Sequence, residues 1–79
     1  MAASKDVKLK KGGSVKDLLK GDAKQLTQKG DDKKGKLTTK DGSIEIAYEV
    51  DGETASLEVT KTDDFFKGYE DQILKGLFG

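Results

Sequence analysis

An α+β fold is predicted for this chain: a three-stranded antiparallel meander with one face covered by a C-terminal helix, preceded by a short helical segment, in the order α-β-β-β-α. Three observations carry the prediction. Two Asp-Gly pairs, Asp41-Gly42 and Asp51-Gly52, each separate runs of alternating apolar and polar residues, as the two-residue turns of β-hairpins do. Counting outward from either turn brings apolar residues opposite apolar residues on one face. The closing stretch "TDDFFKGYEDQILKGLFG" carries apolar residues at helical spacing, and a sheet with one apolar face requires such a cover.

The elements follow in chain order. A chain of 79 residues forms one domain and buries roughly 60% of its unfolded surface. Residues 1–13, "MAASKDVKLKKGG", are expected to form a flexible lysine-rich arm, in which Val7 and Leu9 alternate with lysines as an edge strand would. Residues 14–79 make up the domain. Ser14 is placed as a helix N-cap, and Val15, Leu18, Leu19, Ala23 and Leu26 recur at near-helical spacing over 14–29. Gly21 is expected to end one short helix and Asp22 to cap the next.

Strands are predicted over 36–40, 43–50 and 53–60. With Asp51 and Gly52 at the centre of a type I′ turn, Val50 faces Glu53, Tyr48 faces Ala55, Ile46 faces Leu57 and Ile44 faces Val59. The first turn sets Thr39 beside Ile44 and Leu37 beside Ile46. This register leaves one unfavourable pair, Glu45 opposite Glu58. In the last segment Thr62 or Asp63 is expected to cap a helix whose stripe is Phe66, Tyr69, Ile73 and Leu77, widened by Phe65, Leu74 and Phe78. Gly68 inside that helix costs about 1 kcal/mol relative to alanine.

Composition narrows the chemistry. The chain lacks Cys, His, Trp, Pro, Asn and Arg, so all 15 of its basic residues are lysine. The usual general base, the soft metal ligands and the guanidinium fork are gone together, and no catalytic residues, cofactor or metal site are expected. Asp63-Asp64 and Glu70-Asp71 are adjacent carboxylates, which point in different directions on a helix and form no acid–base dyad. Charge is unevenly spread: residues 1–40 hold 12 lysines and 5 acids, residues 41–79 hold 3 lysines and 10 acids. No apolar run approaches the roughly 20 residues of a membrane span, and a cytoplasmic location is expected.

Four local likenesses stand beside this reading. "GDDKKGKLTTKDG", residues 30–42, resembles an EF-hand calcium loop; with Gly35 at the sixth place, however, Gly30 occupies the first ligand position, Lys34 the fifth and Asp41 the twelfth. Three lysines would also crowd the cation. The order helix, three strands, helix is similar to that of double-stranded-RNA-binding domains, although the expected lysine cluster at the last helix is replaced by "TDDFFKGYED". "KDGSIEIAYEVDG" followed by "ASLEVTKTDDFF" resembles the middle of sterol-carrier-type lipid domains, which implies a lipid-carrier-like fragment. The terminal "GLFG" resembles one nucleoporin repeat.

The function expected from these features is that of a non-catalytic protein-interaction or regulatory module. Its contact is placed on the polar sheet face at Glu45, Glu49 and Glu58, or on the sheet edge at 36–40 flanked by Lys36 and Lys40, with Phe65 or Phe78 as an anchor. The alternative is non-specific binding of nucleic acid or an anionic surface through Lys5, Lys8, Lys10, Lys11 and Lys16. A protein partner is expected, with the chain itself a monomer or a weak homo-oligomer.

Overall fold

The computed structural model describes residues 3–78. It is α+β, with one five-stranded antiparallel sheet and one C-terminal helix. The strands are β1 (Ser4–Lys8), β2 (Thr27–Gly30), β3 (Lys34–Thr38), β4 (Glu45–Asp51) and β5 (Thr54–Lys61), and the helix is α1 (Glu70–Phe78). Across the sheet the order is β1-β5-β4-β3-β2. The predicted meander is thus its centre, β3-β4-β5, and one further strand is added on each side.

One added strand comes from the expected flexible arm, at the alternation read as that of an edge strand, and the other from a segment read as helical. Ser4–Lys8 pairs with β5, with Val7 opposite Ala55 and Lys5 opposite Leu57. The alternation of Val7 and Leu9 with lysines is the signal for that strand. Residues Met1 and Ala2 of the expected arm lie outside the described residues. The 14–29 segment contains two 3-10 helices, Val15–Leu18 and Gly21–Gln25, and then turns into β2 rather than continuing as a helix. Ser14 caps the first of them: its side chain accepts from the Lys16 N–H, and the Asp17 carboxylate accepts from the Ser14 N–H at 3.2 Å. The N-cap position of the second falls to Lys20, not Asp22, whose side chain lies outside the described part. Thr27, Gln28 and Lys29 leave the helical pattern because they pair with Thr38, Leu37 and Lys36.

The β4–β5 hairpin differs from expectation by two residues. Val50 faces Ala55, Tyr48 faces Leu57 and Ile46 faces Val59. Asp51 pairs with Thr54, leaving Gly52 and Glu53 at the tip, and among the described residues no residue other than glycine has positive φ. Gly52, at φ +64°, therefore holds the first central position, the arrangement of a type II′ turn, and Asp51 is spared the left-handed conformation that type I′ would demand. A shift of two keeps every side chain on its face, so the apolar match survives. It also removes the repulsive pair: Glu58 now faces Ala47, and Glu45 faces Lys61. A bulge beside Ile46 leaves Thr60 as the extra residue, and its hydroxyl donates to the Glu45 carbonyl (3.2 Å) and to Glu45 Oε2 (2.9 Å).

The β3–β4 register is as predicted, with Leu37 opposite Ile46 and the Thr39 N–H donating to the Ile44 carbonyl at 3.2 Å. Its connection is longer than two residues. The Gly42 N–H donates to the Thr39 carbonyl (2.9 Å), with Gly42 at φ +74°, and 40–43 form a loop outside the strands.

Leu37, Ile46, Tyr48, Val50, Ala55, Leu57 and Val59 form the buried face of the sheet. Val15, Leu18, Ala23 and Leu26 from the 3-10 segment and Leu74 from α1 close over it. Each large aliphatic side chain buried here contributes about 1.5–3 kcal/mol relative to exposure. Tyr48 extends the core toward the β2–β3 hairpin. Its hydroxyl donates to the Asp31 carbonyl and accepts from Gln28 Nε2 at 3.3 Å. The phenol passes over Gly35, where a Cβ would stand 2.6 Å from the Tyr48 Oη and 2.2 Å from the Lys29 carbonyl oxygen.

The last helix is shorter than the predicted stripe, which ran from Phe65 to Phe78. It begins at Glu70, and 64–68 are turns. Asp63 Oδ1 accepts from the Phe66 N–H (3.0 Å), as a cap would, but Gly68 at φ +93° interrupts the chain before a helix can propagate. Ile73, Leu77 and Phe78 are half-buried against the core, while Phe65 and Tyr69 are exposed and Phe66 lies at the margin, lining a concavity with Leu26, Ile44 and Ile73.

A methyl group at residue 35 must displace both the hairpin backbone and the Tyr48 hydroxyl. Gly35→Ala is therefore expected to destabilise the fold by about 1–3 kcal/mol in urea unfolding, and an unchanged midpoint would show that the tyrosine does not cross the glycine.

Candidate interaction surfaces

The residues singled out in the sequence fall on three separate surfaces. The first is the sheet face opposite the core, which is left uncovered by any element. Cross-strand partners share a face, so the register places Glu58, Ala47, Lys36 and Lys29 in one row and Ser56, Glu49 and Lys34 in the next. The lysines of β3 therefore lie beside acids of β4, whereas Lys29 on β2 faces Lys36 and Glu58 on β5 sits between Ala47 and Ser4. Lys34 pairs in register with Glu49, and Lys36 Nζ is 3.5 Å from Glu45 Oε2. The Thr60 hydroxyl, followed by the ammonium of Lys36, holds the Glu45 carboxyl below its ordinary range. Glu49 and Glu58 are exposed. The uneven charge of the linear sequence is thus partly neutralised across a single sheet.

The edge role expected at 36–40 does not fall to that segment. β3 is flanked by β2 on one side and β4 on the other, and the edges of the sheet are β1 and β2. The missed signal was Thr27–Gly30, whose four residues are too few to show an alternation distinct from the helical spacing before them. Lys40 sits in the 40–43 loop, outside the strand.

That loop is organised by Asp41. Its Oδ1 accepts from the Thr39 hydroxyl (2.7 Å), the Ser43 N–H (3.0 Å) and the Ser43 hydroxyl (2.8 Å). These donors, the Ser43 N–H foremost, lower its pKa from 3.8 to about 2. Asp31 plays the same part in the β2–β3 loop, where its Oδ1 accepts from the N–H groups of Lys33 (2.8 Å) and Lys34 (2.7 Å), which depress its pKa. Two of the three acids in residues 30–42, Asp31 and Asp41, are thus turned onto the backbone or hydroxyls of separate hairpin loops.

The second surface is the aromatic turn at 65–69. Phe65 is 81% exposed, Tyr69 53% and Phe66 36%. The two phenylalanine rings meet edge to face with centroids 5.0 Å apart, and a shallow concavity is bounded by Phe65, Phe66, Tyr69, Gln72 and Ile73. Asp63, Asp64, Glu70 and Asp71 flank these rings in the chain, with Lys67 the one cation among them. Phe78, the other expected anchor, is half-buried at the end of α1 and packs against the core.

The third surface is lysine-rich. Lys8, Lys10, Lys11 and Lys16 are exposed, whereas Lys5 is half-buried at the core side of β1, opposite Leu57. Lys11 lies in the turn after β1 and Lys16 in the first 3-10 helix, so these lysines are spread over several elements rather than aligned on one. Among the described residues, no helix is long and apolar enough to cross a membrane.

No protein-family model matches the chain, and neither the curated proteins nor the solved structures searched contain a match to it.

The Asp41 arrangement has a pH signature of definite sign. A carboxyl whose pKa is lowered on folding contributes stability that is fully present above its unfolded value and is lost as pH falls through the folded one. Stability is expected to drop between pH 3.8 and about 2 as Asp41 takes up its proton, and Asp41→Asn to flatten the curve in that window. A carboxyl-carbon NMR titration reads the same midpoint directly; a normal midpoint for Asp41 would contradict the three-donor geometry.

Proposed function

We propose that the chain is a non-catalytic protein-interaction module that docks a short basic segment of a partner protein on the aromatic turn at 65–69. The observation that carries this reading is the 81% exposure of Phe65 beside Phe66 and Tyr69. A domain of this size has little apolar surface to spare, and clustered aromatics outside the core are the residues that most often anchor protein contacts. The acids around them select the occupant. A segment with one apolar side chain flanked by Lys or Arg places its anchor between the rings and its cations against Asp63, Asp64, Glu70 and Asp71. The turn is held by Asp63 and released from the helix by Gly68, so it presents the rings without costing the core anything.

The polar sheet face is the weaker contact for such a module. Two of its acids, Glu45 and Glu49, already have lysine neighbours within the sheet, and a partner would have to displace them. Within residues 63–71 the aromatic turn carries one cation, Lys67, against four acids.

Selection of a random peptide library displayed on phage against the intact chain tests the proposal. Enriched peptides are expected to combine an apolar residue with neighbouring Lys or Arg, and Phe65→Ser to weaken their binding about tenfold or more while changing folding stability by less than about 0.5 kcal/mol. Failure to enrich any sequence, or enriched peptides indifferent to Phe65→Ser and Tyr69→Ser, would overturn it.

A further inference from the structure

A crevice of about 600 Å³ opens between β1, the first 3-10 helix and the end of α1, on a different part of the molecule from the aromatic turn. Its walls are of two kinds. Val7, Leu9, Leu18, Leu77 and Phe78 supply apolar surface, and Lys8, Lys10 and Lys20 supply cations. Strand alternation sends Lys8 with Ser4 and Asp6 toward the uncovered face of the sheet, while β1 ends at Lys8, so Lys10, beyond the strand, and Lys20 remain as the cations of the crevice. The lining holds a single acid, Asp17, whose Oδ2 accepts from the Ser14 N–H at 3.2 Å as part of the helix cap, and the lysines outnumber it.

We infer that this crevice binds a single-chain anionic amphiphile, with the alkyl tail against Leu9, Leu18, Leu77 and Phe78 and the head group at Lys10 and Lys20. The size falls within the roughly 300–1,000 Å³ of small-molecule sites. The lining decides the chemistry. A small inorganic anion would meet two lysines above an apolar floor, with no arginine fork to grip it. A neutral chain would leave both ammonium groups without a counter-charge. A carboxylate or sulfate on an alkyl chain satisfies both walls at once, because the lysine stems lie along apolar surface while their charged ends reach the head group. Leu9, Leu77 and Phe78, only half-buried now, would be covered by the tail.

Titration of the full chain with sodium laurate below its micelle concentration, followed by amide chemical shifts, provides the test. Saturable shifts are expected at residues 7–10, 18–21 and 77–78, and Lys10→Gln with Lys20→Gln is expected to weaken laurate about fivefold or more. Both lysines are exposed, so the double variant keeps the fold, and Lys16→Gln with Lys24→Gln, away from the crevice, should bind as the parent does. Three results would each overturn the inference: no saturable shift with laurate, the same shifts from inorganic phosphate alone, or 1-dodecanol binding as tightly as laurate. Loss of laurate binding in the Lys16/Lys24 variant would equally do so, by showing diffuse attraction to lysines. The aromatic-turn proposal is untouched by any of these outcomes.

Discussion

The structure rests on one row of apolar side chains crossing three strands, Leu37 on β3, Ile46 on β4 and Val59 on β5. All three are at most 3% exposed. Fixing this row fixes the neighbouring pairs, Tyr48 with Leu57 and Val50 with Ala55, and so determines which face needs a cover. The cover comes from both ends of the chain: the 3-10 segment supplies Val15, Leu18, Ala23 and Leu26, and α1 supplies Leu74. Because two short elements share the work, α1 needs only its second half in the core. In the segment before it Phe65 and Tyr69 stand in solvent, with Phe66 at the margin of the core.

Charge follows from the same row. On the polar face Lys34 of β3 pairs with Glu49 of β4 and Lys36 lies beside Glu45, so part of the charge difference between the two halves of the chain is cancelled locally. The pairs are exposed, and each is worth about 0–1 kcal/mol. Their collective effect is on binding rather than folding: a sheet face of mixed sign offers no single-sign field to a polyanion or a basic partner. The surfaces with an uncompensated character are elsewhere, acidic around the aromatic turn and basic beside the N-terminal crevice.

What the sequence made legible was decided by the strength of local patterns. Alternation over "SIEIAYEV" and "TASLEVT" is long enough to place β4 and β5, and the inward parity of each residue was correct even though the hairpin register was two residues off. The turn caused that error, since Asp-Gly fits a type I′ centre as well as a II′ turn with glycine first, and only the pairing of Glu45 away from Glu58 distinguishes them. Thr27–Gly30 was hidden because four residues show no period, and its pairing with β3 is a tertiary fact. In the C-terminal segment the stripe was real from Ile73 onward, but helical spacing alone could not reveal that Gly68 takes a positive φ. Of the expected anchors, Phe65 is exposed and Phe78 half-buried, a difference set by the early break in the helix.

The β4–β5 register is the most direct point of test, because the turn, the apolar row and the charge layout all depend on it. Interstrand nuclear Overhauser effects in the folded protein should link the backbone of Ile46 to Val59 and that of Tyr48 to Leu57 as directly opposed residues. Direct opposition of Ile46 to Leu57 and of Tyr48 to Ala55 would contradict the account, returning Glu45 to a position facing Glu58 and dismantling the charge pattern built on it.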